Sequence, residues 1–218
     1  MSQTLTALAA ALPLAAGWSL DALRLHRRIE GARRDPLTGL WTRDAFEERA
    51  RKSLTQGQQR AVYVLDLNGF KEINDTIGHA AGDAVIRATG QRLGRWTEGH
   101  AGVAGRLGGD EFAAITPACG IHHLCSALRD LLDRLEQPVE FDGQPIDVSA
   151  SIGAARYWRT GTADLSALLR AADEQMYQAK QTGGGWGIAP KLEPAPAFRT
   201  VNGRRDGRPG TSGGTAAA

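Results

Sequence analysis

The sequence predicts an α+β fold in which an antiparallel central sheet is covered by helices. Strand-like and helix-like segments are mixed along residues 35–190, without the strict alternation that is typical of a parallel sheet. Glycine turns separate two pairs of strand-like segments, at Gly108-Gly109 and at Asp142-Gly143. Because such short turns join antiparallel neighbours, we expect an antiparallel sheet with helices on at least one face.

The first half of this region contains three predicted helices and one predicted strand. Thr42 or Asp44 can cap the first helix, whose apolar residues share one face: Phe46, Ala50 and Leu54. The apolar run 61–67 predicts a buried strand. Two helices are expected near 69–77 and 83–96. The second has an inner face made of Val85, Ile86, Thr89 and Leu93.

The second half contains the two hairpins and two more helices. Strands are expected on both sides of each turn: 102–107, 112–116, 139–141 and 146–154. A helix that carries Leu124, Leu128, Leu131 and Leu135 should end before Pro138. Thr162 is expected to begin the last helix, whose inward residues are Leu165, Leu168, Leu169, Ala172 and Met176. A short strand near 186–188 can close the sheet.

Composition indicates one globular domain with tails, because 42% of the 218 residues are hydrophobic and 23% are charged. Residues 1–34 carry five basic and two acidic groups, and residues 191–218 carry the same numbers. Residues 35–190 carry 16 basic and 20 acidic groups. This central region has no excess positive charge to bind a polynucleotide, so we expect no nucleic-acid partner. A triphosphate carried with Mg²⁺ remains a suitable ligand.

The N-terminal segment, residues 1–34, has two interpretations. Residues 1–20 carry no charge and an arginine cluster follows, which favours a membrane anchor that keeps the rest on the cytoplasmic side. Apolar residues also recur at alternating spacings of four and three, as in a dimerising helix: Trp18, Ala22, Leu25, Ile29 and Ala32. The domain itself is expected at 35–190. Residues 191–218 have the composition of a disordered tail.

The two cysteines, Cys119 and Cys125, do not form a disulfide framework, so a reducing cytoplasm is the expected compartment. With His122 and His123 they resemble a zinc cluster superficially. Their spacing does not fit the usual zinc patterns, and the start of a helix with one buried thiol is the preferred interpretation.

The Gly108-Gly109 turn is followed at once by two carboxylates, Asp110 and Glu111. The glycines permit a turn with positive φ and leave room for a large ligand. Strand alternation would point the two acids to opposite faces unless a bulge intervenes. The alternative is a hairpin with ordinary surface charge.

Asp66 ends the predicted buried strand. A charged carboxylate there is costly unless a cation or hydrogen bonds compensate it, and a metal ion is the simplest partner. The alternative is a helix cap for the segment that follows, which would stabilise by about 1 kcal/mol.

Three polar positions and two lysines complete the candidate site. The chain has 22 Arg and 4 Lys, yet Lys71 and Lys180 are the only lysines between residues 53 and 190, and an ammonium group suits phosphate oxygens. Asn74, on the same side of a helix as Lys71, offers the donor and acceptor that a purine edge needs. His79 and Asp83 follow, and Asp83 either accepts from a guanine or caps the next helix.

These segments together resemble the GGDEF family of diguanylate cyclases. The resemblance covers about residues 33–188 and rests on five motifs in order: 35–40, 66–83, 106–112, 151–153 and 172–180. It implies the ferredoxin-like palm fold of nucleotidyl cyclases. It also implies that two GTP molecules are condensed into cyclic di-GMP by a homodimer with Mg²⁺, for which Mn²⁺ can substitute.

The resemblance also implies roles for individual residues. Asp66, the Leu67 carbonyl and Asp110 would bind the metal, Asp110 would also be the general base, and Glu111 would assist. The phosphates would be held by Lys71 and Lys180, and the guanine end by Asn74, His79 and Asp83, with Gly108 and Gly109 beside the substrate.

Three positions depart from the family pattern. Thr42 stands where Asn is usual, and both residues can cap. Gly184 stands where an arginine is common, so the expected hold on phosphate is weaker. Gly99 and Gly102 replace the Arg and Asp of the inhibitory motif, so inhibition by product through that site is expected to be absent.

Three hypotheses follow from these observations. An active cyclase is favoured, because Asp66, Lys71 and both hairpin acids are present. The alternative is a catalytically weak or inactive module that binds GTP for regulation, and Gly184 favours it. A cyclase with another purine specificity is the third.

Overall fold

A computed structural model describes residues 30–56, 59–158 and 164–190 of the chain. Eight strands occur in these ranges: β1 (Trp41–Thr42), β2 (Arg60–Asn68), β3 (Val103–Gly108), β4 (Glu111–Pro117), β5 (Val139–Phe141), β6 (Gln144–Ile146), β7 (Ser149–Tyr157) and β8 (Gly185–Ile188). The five helices with assigned bounds are α1 (Arg43–Thr55), α2 (Phe70–Thr76), α3 (His79–Gly99), α4 (Ile121–Leu135) and α5 (Leu165–Gln181).

Six strands form one sheet in the order β1-β3-β4-β2-β7-β8. The inner strands β3, β4, β2 and β7 are antiparallel to their neighbours, which confirms the predicted antiparallel centre. The two edge strands are parallel to theirs, β1 to β3 and β8 to β7. In β8, Gly185 pairs with Ser151 and Ile188 with Ala154, so this edge strand runs in the same direction as β7.

Helices cover both faces of the sheet. On one face α3 and α4 bury Leu93, Trp96, Leu128 and Leu131 against alternate residues of the inner strands, such as Tyr63, Leu65 and Phe112. On the other face α1 and α5 bury Phe46, Leu54, Leu168 and Met176 against the remaining residues, such as Val62, Val64 and Ala113. Strand alternation therefore divides β2 between two cores, and the position of Asp66 in β2 places it on the α1 and α5 face.

Helix α5 lies very close to the sheet at Gly153. A Cβ atom at this position would lie 1.8 Å from the Ala172 carbonyl oxygen, so only glycine allows the contact. This contact fixes the height of α5 above β7.

Several predicted boundaries were wrong. Helix α3 begins at His79 rather than near 83, because Gly78 at φ 108° marks the break after α2. Asp83 therefore lies inside α3 and does not cap it. The single strand predicted at 146–154 is two strands: β6 pairs with β5 in a separate two-stranded sheet, and β7 begins at Ser149 in the main sheet.

Smaller predictions had mixed outcomes. The turn at Asp142-Gly143 is confirmed, with φ of 49° and 74° at the two residues. Thr42 is the N-cap of α1, but its side chain makes no capping hydrogen bond. The last helix begins at Leu165 after the N-cap Asp164, not at Thr162, which lies outside the described ranges. Cys125 is partly exposed and Cys119 is exposed, so neither thiol is buried.

The predictions for the two ends of the chain fall mostly outside the described ranges. These are the anchor or dimerising helix in residues 1–34, of which only residues 30–34 are described, and the tail at 191–218. Within the ranges that are described, no helix is both long enough and apolar enough to cross a membrane.

Candidate active site

The candidate site lies where β2 and β7 meet the turn between β3 and β4. Asp66 is only 8% exposed there, near the end of β2. The Lys180 ammonium, in the last turn of α5, donates to Asp66 Oδ1. Lys180, which we expected to hold phosphate, is thus the counter-charge of the buried carboxylate.

Glu111 lies directly opposite Asp66 in the antiparallel ladder between β2 and β4. Opposed residues of such a pair point to the same face, so both carboxylates lie on the α1 and α5 face. Glu111 is half-exposed, and its Oε2 lies 3.7 Å from Arg43 Nη2. The strand register therefore brings one of the two hairpin acids beside Asp66.

The glycine turn is tighter than the sequence prediction assumed. Gly108 pairs with Glu111, which leaves Gly109 and Asp110 as the two residues of the loop. The register of β3 with β4 shifts between Arg106 and Gly108, so Leu107 is an irregularity in β3. Asp110 is a turn residue and not a strand residue, and the expectation that strand alternation sets its direction was wrong.

Two arginines hold this turn by its carbonyl groups. Arg106 donates to the Gly109 carbonyl from Nε (3.0 Å) and from Nη2 (2.8 Å). Arg43, the first residue of α1, donates from Nε to the Leu107 carbonyl at 3.0 Å. Sequence reasoning missed both arginines, because neither pattern nor spacing indicates which carbonyl a side chain will reach.

Arg106 also connects the turn to Asp35. Its Nη1 atom lies 3.1 Å and 3.2 Å from the two carboxylate oxygens. Asp35 Oδ1 accepts further from the Thr38 amide and hydroxyl. Burial opposes the ionisation of Asp35, but the hydrogen bonds from Thr38 and Arg106 outweigh it and hold the pKa of this carboxyl below its ordinary value.

The residues expected to bind guanine lie on α2 and α3. Gly69, with φ of 66°, is the N-cap of α2, which carries the exposed Lys71 and the half-buried Asn74. Asn74 lies against the first turn of α3, because a Cβ atom at Gly82 would lie 2.1 Å from its Oδ1. Asp83 is the exposed neighbour of Gly82 in the sequence. The structure therefore brings Asn74 to the helix turn that carries Asp83.

His79, the third of these residues, is exposed and is the first residue of α3. It lies on the same end of the helix as Asp83.

A polar network that the sequence did not predict supports the end of β2. The Asn68 amide donates to Ser149 Oγ at 3.0 Å and accepts from Ser151 Oγ at 2.8 Å, so it connects β2 to β7. Glu136, beyond α4, accepts from Ser149 and from the Ala150 amide. Asn68 directly precedes Gly69, the N-cap of α2, so this network lies at the start of that helix.

Gly184 packs on this network. Its φ is 111°, and a Cβ atom there would lie 2.9 Å from Asn68 Nδ2. The backbone conformation and the close Asn68 side chain therefore both favour glycine at position 184, where an arginine is common in the family.

The donor set suits a hard cation. In the parts of the chain that the structure describes, no three His, Cys, Asp or Glu side chains are grouped as a metal cluster. Mg²⁺ is commonly held by one or two carboxylates together with substrate phosphates, so a larger protein cage is not needed. The buried Asp66 carboxylate already takes a cationic partner, and the Leu67 carbonyl and the Asp110 carboxylate, which follow Asp66 and precede Glu111 in the chain, are the further candidate oxygen ligands.

A separate groove of about 430 Å³ lies between α2 and residues 145–149. Its ionisable lining groups are Glu72 and Asp147. Both are acidic and would repel a triphosphate, and no predicted site residue lines it. The exposed Lys71 and Lys180 are therefore better candidates for binding a triphosphate than this groove.

Comparison with known proteins gives consistent matches. The family described as "Diguanylate cyclase, GGDEF domain" matches residues 32–185. An uncharacterised 19.3 kDa protein encoded in the repSA 5' region of Streptomyces ambofaciens is 44% identical over 177 residues, 78% of this chain and 89% of that protein. The coiled coil and GGDEF domain of DgcB from Caulobacter crescentus, solved in complex with c-di-GMP, superimposes with a TM-score of 0.69 and is 26% identical, covering 80% of this chain and 96% of that one.

Two longer relatives come from Pseudomonas aeruginosa. Diguanylate cyclase DgcP is 34% identical over 176 residues, which is 75% of this chain and 25% of DgcP. Cyclic di-GMP phosphodiesterase NbdA is 33% identical over 156 residues, which is 70% of this chain and 20% of NbdA. This chain thus corresponds to a quarter or less of these two proteins.

Proposed function

The chain belongs to the GGDEF family, and we propose that it is a diguanylate cyclase that condenses two GTP molecules into cyclic di-GMP and releases two pyrophosphates. The observation that carries the proposal is the pairing of Asp66 with Glu111 next to the glycine turn that bears Asp110. Three carboxylates at one end of a sheet, with Lys180 beside them, are the groups that phosphoryl transfer from a nucleotide requires.

Asp66, the Leu67 carbonyl and Asp110 would hold Mg²⁺, and Mn²⁺ would fit the same oxygen ligands. The bound ion would neutralise the charge that develops on the α-phosphate. Gly108 and Gly109 carry no side chains, so the nucleotide can approach the turn closely. The two arginine contacts hold the Leu107 and Gly109 carbonyls, and so they fix the backbone of the turn.

The hairpin acids would move the proton. Asp110 would accept the proton of the 3′-hydroxyl of one GTP, with Glu111 assisting. A bond then forms between that 3′-oxygen and the α-phosphorus of the other GTP, while the bond from phosphorus to the departing pyrophosphate breaks. The same step occurs a second time in the opposite direction and closes the ring.

The remaining residues would bind and orient GTP. Lys71 and Lys180 would contact the phosphates, and both are long enough and exposed enough to reach them. Asn74, Asp83 and His79 would bind the guanine between α2 and α3. Asn74 is held by its contact with Gly82, so its amide is oriented before the nucleotide arrives.

The two GTP molecules must face each other, which requires two protomers. We therefore propose a homodimer as the active form, with residues 1–34 either dimerising or anchoring the chain on the cytoplasmic side of a membrane. The DgcB fragment that resembles this chain contains a coiled coil next to its GGDEF domain.

A catalytically weak or inactive module that binds GTP for regulation is the second candidate. Gly184 favours it, since position 184 has no side chain that could contact a phosphate. A relative that is named as a phosphodiesterase also carries a region similar to this chain.

Mass spectrometry of a reaction of the purified chain with GTP and Mg²⁺ separates these candidates. A cyclase yields cyclic di-GMP, and Asp110→Ala abolishes it while GTP still binds. Binding without product at high protein concentration would favour the regulatory module. Competition with ATP, repeated in Asn74→Ala, tests whether guanine is the selected purine.

A further inference from the structure

Two partly buried carboxylates near the glycine turn have different cationic partners. Asp35 is held by the fork of Arg106, together with two hydrogen bonds from Thr38. Asp66 is held by a single ammonium group, that of Lys180. The choice of lysine at Asp66 is notable in a chain with 22 Arg and 4 Lys.

The two partners differ in how easily they can leave. An arginine fork grips a carboxylate with several fixed donors, whereas lysine is a point charge on a flexible stem. The Lys180 side chain is 41% exposed, and that of Asp66 is 11% exposed. The backbone of α5 is fixed by the contact at Gly153, so the lysine side chain can swing while its helix stays in place.

We propose that Lys180 is a stand-in cation that neutralises Asp66 until a divalent ion binds, and that then turns to the phosphates of the nucleotide. A buried carboxylate without a counter-charge is costly, which explains why an ammonium group is paired with Asp66. An ammonium group and a divalent ion repel each other at the same carboxylate, so Lys180 must give up Asp66 when the ion arrives. The inference rests on the metal site of the proposed function.

This exchange couples two binding events. The released Lys180 ammonium needs an anion, and a triphosphate supplies one. Nucleotide binding therefore stabilises the arrangement in which Asp66 is available to the metal. Because such coupling is reciprocal, metal binding raises the affinity for the nucleotide by the same factor.

Metal affinity without nucleotide tests the proposal directly. The free Mn²⁺ signal in electron paramagnetic resonance gives the Mn²⁺ dissociation constant of the full chain. Lys180→Met removes the competing charge, and we expect Mn²⁺ to bind about tenfold more tightly, a change of about 1.4 kcal/mol. Lys52→Met on the exposed surface of α1 removes the same charge far from Asp66, and its Mn²⁺ affinity should stay within about twofold of the parent, since exposed charges are screened.

A second variant allows the proposal to be tested even if Lys180→Met does not fold. Lys180→Gln keeps a hydrogen-bond donor for Asp66 without the charge and should also bind Mn²⁺ more tightly. Circular dichroism checks that both variants are folded, and Mn²⁺ should raise their melting temperatures more than that of the parent. Mn²⁺ affinity that is unchanged or weaker in both folded variants overturns the proposal.

The Mn²⁺ binding experiment and the cyclase assay can fail independently of each other. A parent protein that makes cyclic di-GMP, with variants of unchanged Mn²⁺ affinity, keeps the proposed function and loses this inference. Tighter Mn²⁺ binding in the variants of a chain that makes no product keeps the inference and removes the cyclase. Absence of Mn²⁺ binding in every variant removes the metal site and the inference with it.

Discussion

Arg106 connects the glycine turn to Asp35, a residue 71 positions earlier in the chain. One guanidinium group contacts the Asp35 carboxylate and the Gly109 carbonyl at the same time. The start of the globular domain and the loop that carries Asp110 are thus held by one side chain. A substitution at either end of this contact should therefore change the position of the turn at the candidate site.

Arg106→Ala should slow the reaction while the KM for GTP changes little. The side chain positions the turn through the Gly109 carbonyl and makes no hydrogen bond to the side chains proposed to bind GTP, so we expect kcat to fall by about tenfold or more. Steady-state kinetics of cyclic di-GMP formation measures both constants. Arg106→Lys keeps the charge without the fork and should recover only part of the rate; a variant with full kcat would show that the turn is held by other contacts.

The Asp35 contacts should make stability depend on acid. The pKa of Asp35 is lower in the folded protein than its ordinary value of 3.8, so its contribution is present above pH 3.8 and is lost as the pH falls through the lower, folded value. Asp35→Asn should therefore lower the free energy of unfolding at pH 6, and the difference from the parent should shrink near pH 3. Urea unfolding at the two pH values measures this. An equal difference at both would refute the assignment.

Gly82→Ala should weaken the binding of GTP. The added Cβ would overlap Asn74 Oδ1, so the amide must rotate away from the first turn of α3. We expect the KM for GTP to rise by about tenfold, which corresponds to the net loss of about one hydrogen bond. Gly94→Ala in the same helix is the matched control, because its Cβ would lie 3.4 Å from Leu40 Cδ2, an ordinary contact. Equal KM values in the two variants would argue against a guanine role for Asn74.

Placing the family arginine at position 184 should not strengthen the site. Gly184 has φ of 111°, and any Cβ there crowds Asn68. We expect Gly184→Arg to destabilise the fold by about 1–3 kcal/mol, as for other side chains forced into a sparsely populated backbone region. Gly184→Ala should be less stable than Gly185→Ala, where φ is 100° but nothing crowds the Cβ. Thermal melts compare them, and an arginine variant that is both stable and faster would reverse the conclusion.

Local patterns predicted most of the fold. The apolar run that became β2 and the two glycine turns have clear sequence signals, so the antiparallel centre was predictable. The start of α3 was not predictable in this way. Asp83 is a good capping residue and suggested a start near 83, whereas the helix begins at His79, directly after Gly78 with its φ of 108°. The split of 146–154 was missed because the apolar alternation continues across the break between β6 and β7.

The candidate site was less predictable from the sequence than the fold. The burial of Asp66 was expected, because this residue lies at the end of an apolar run that predicts a buried strand. The register that places Glu111 opposite Asp66 is set by the pairing of β2 with β4, and one residue of slip there would have reversed its face. The contacts of Arg43, Arg106 and Asn68 depend on elements that are distant in sequence and meet only in the fold.

The parallel direction of β8 has a practical consequence for experiments on this protein. Because β8 starts beside Ser151 and runs towards Ala154, the backbone at Pro190 lies away from the end of the sheet that carries Asp66. A fluorescent label attached at position 190 should therefore leave the proposed substrate site unobstructed, which makes this position suitable for imaging or immobilisation.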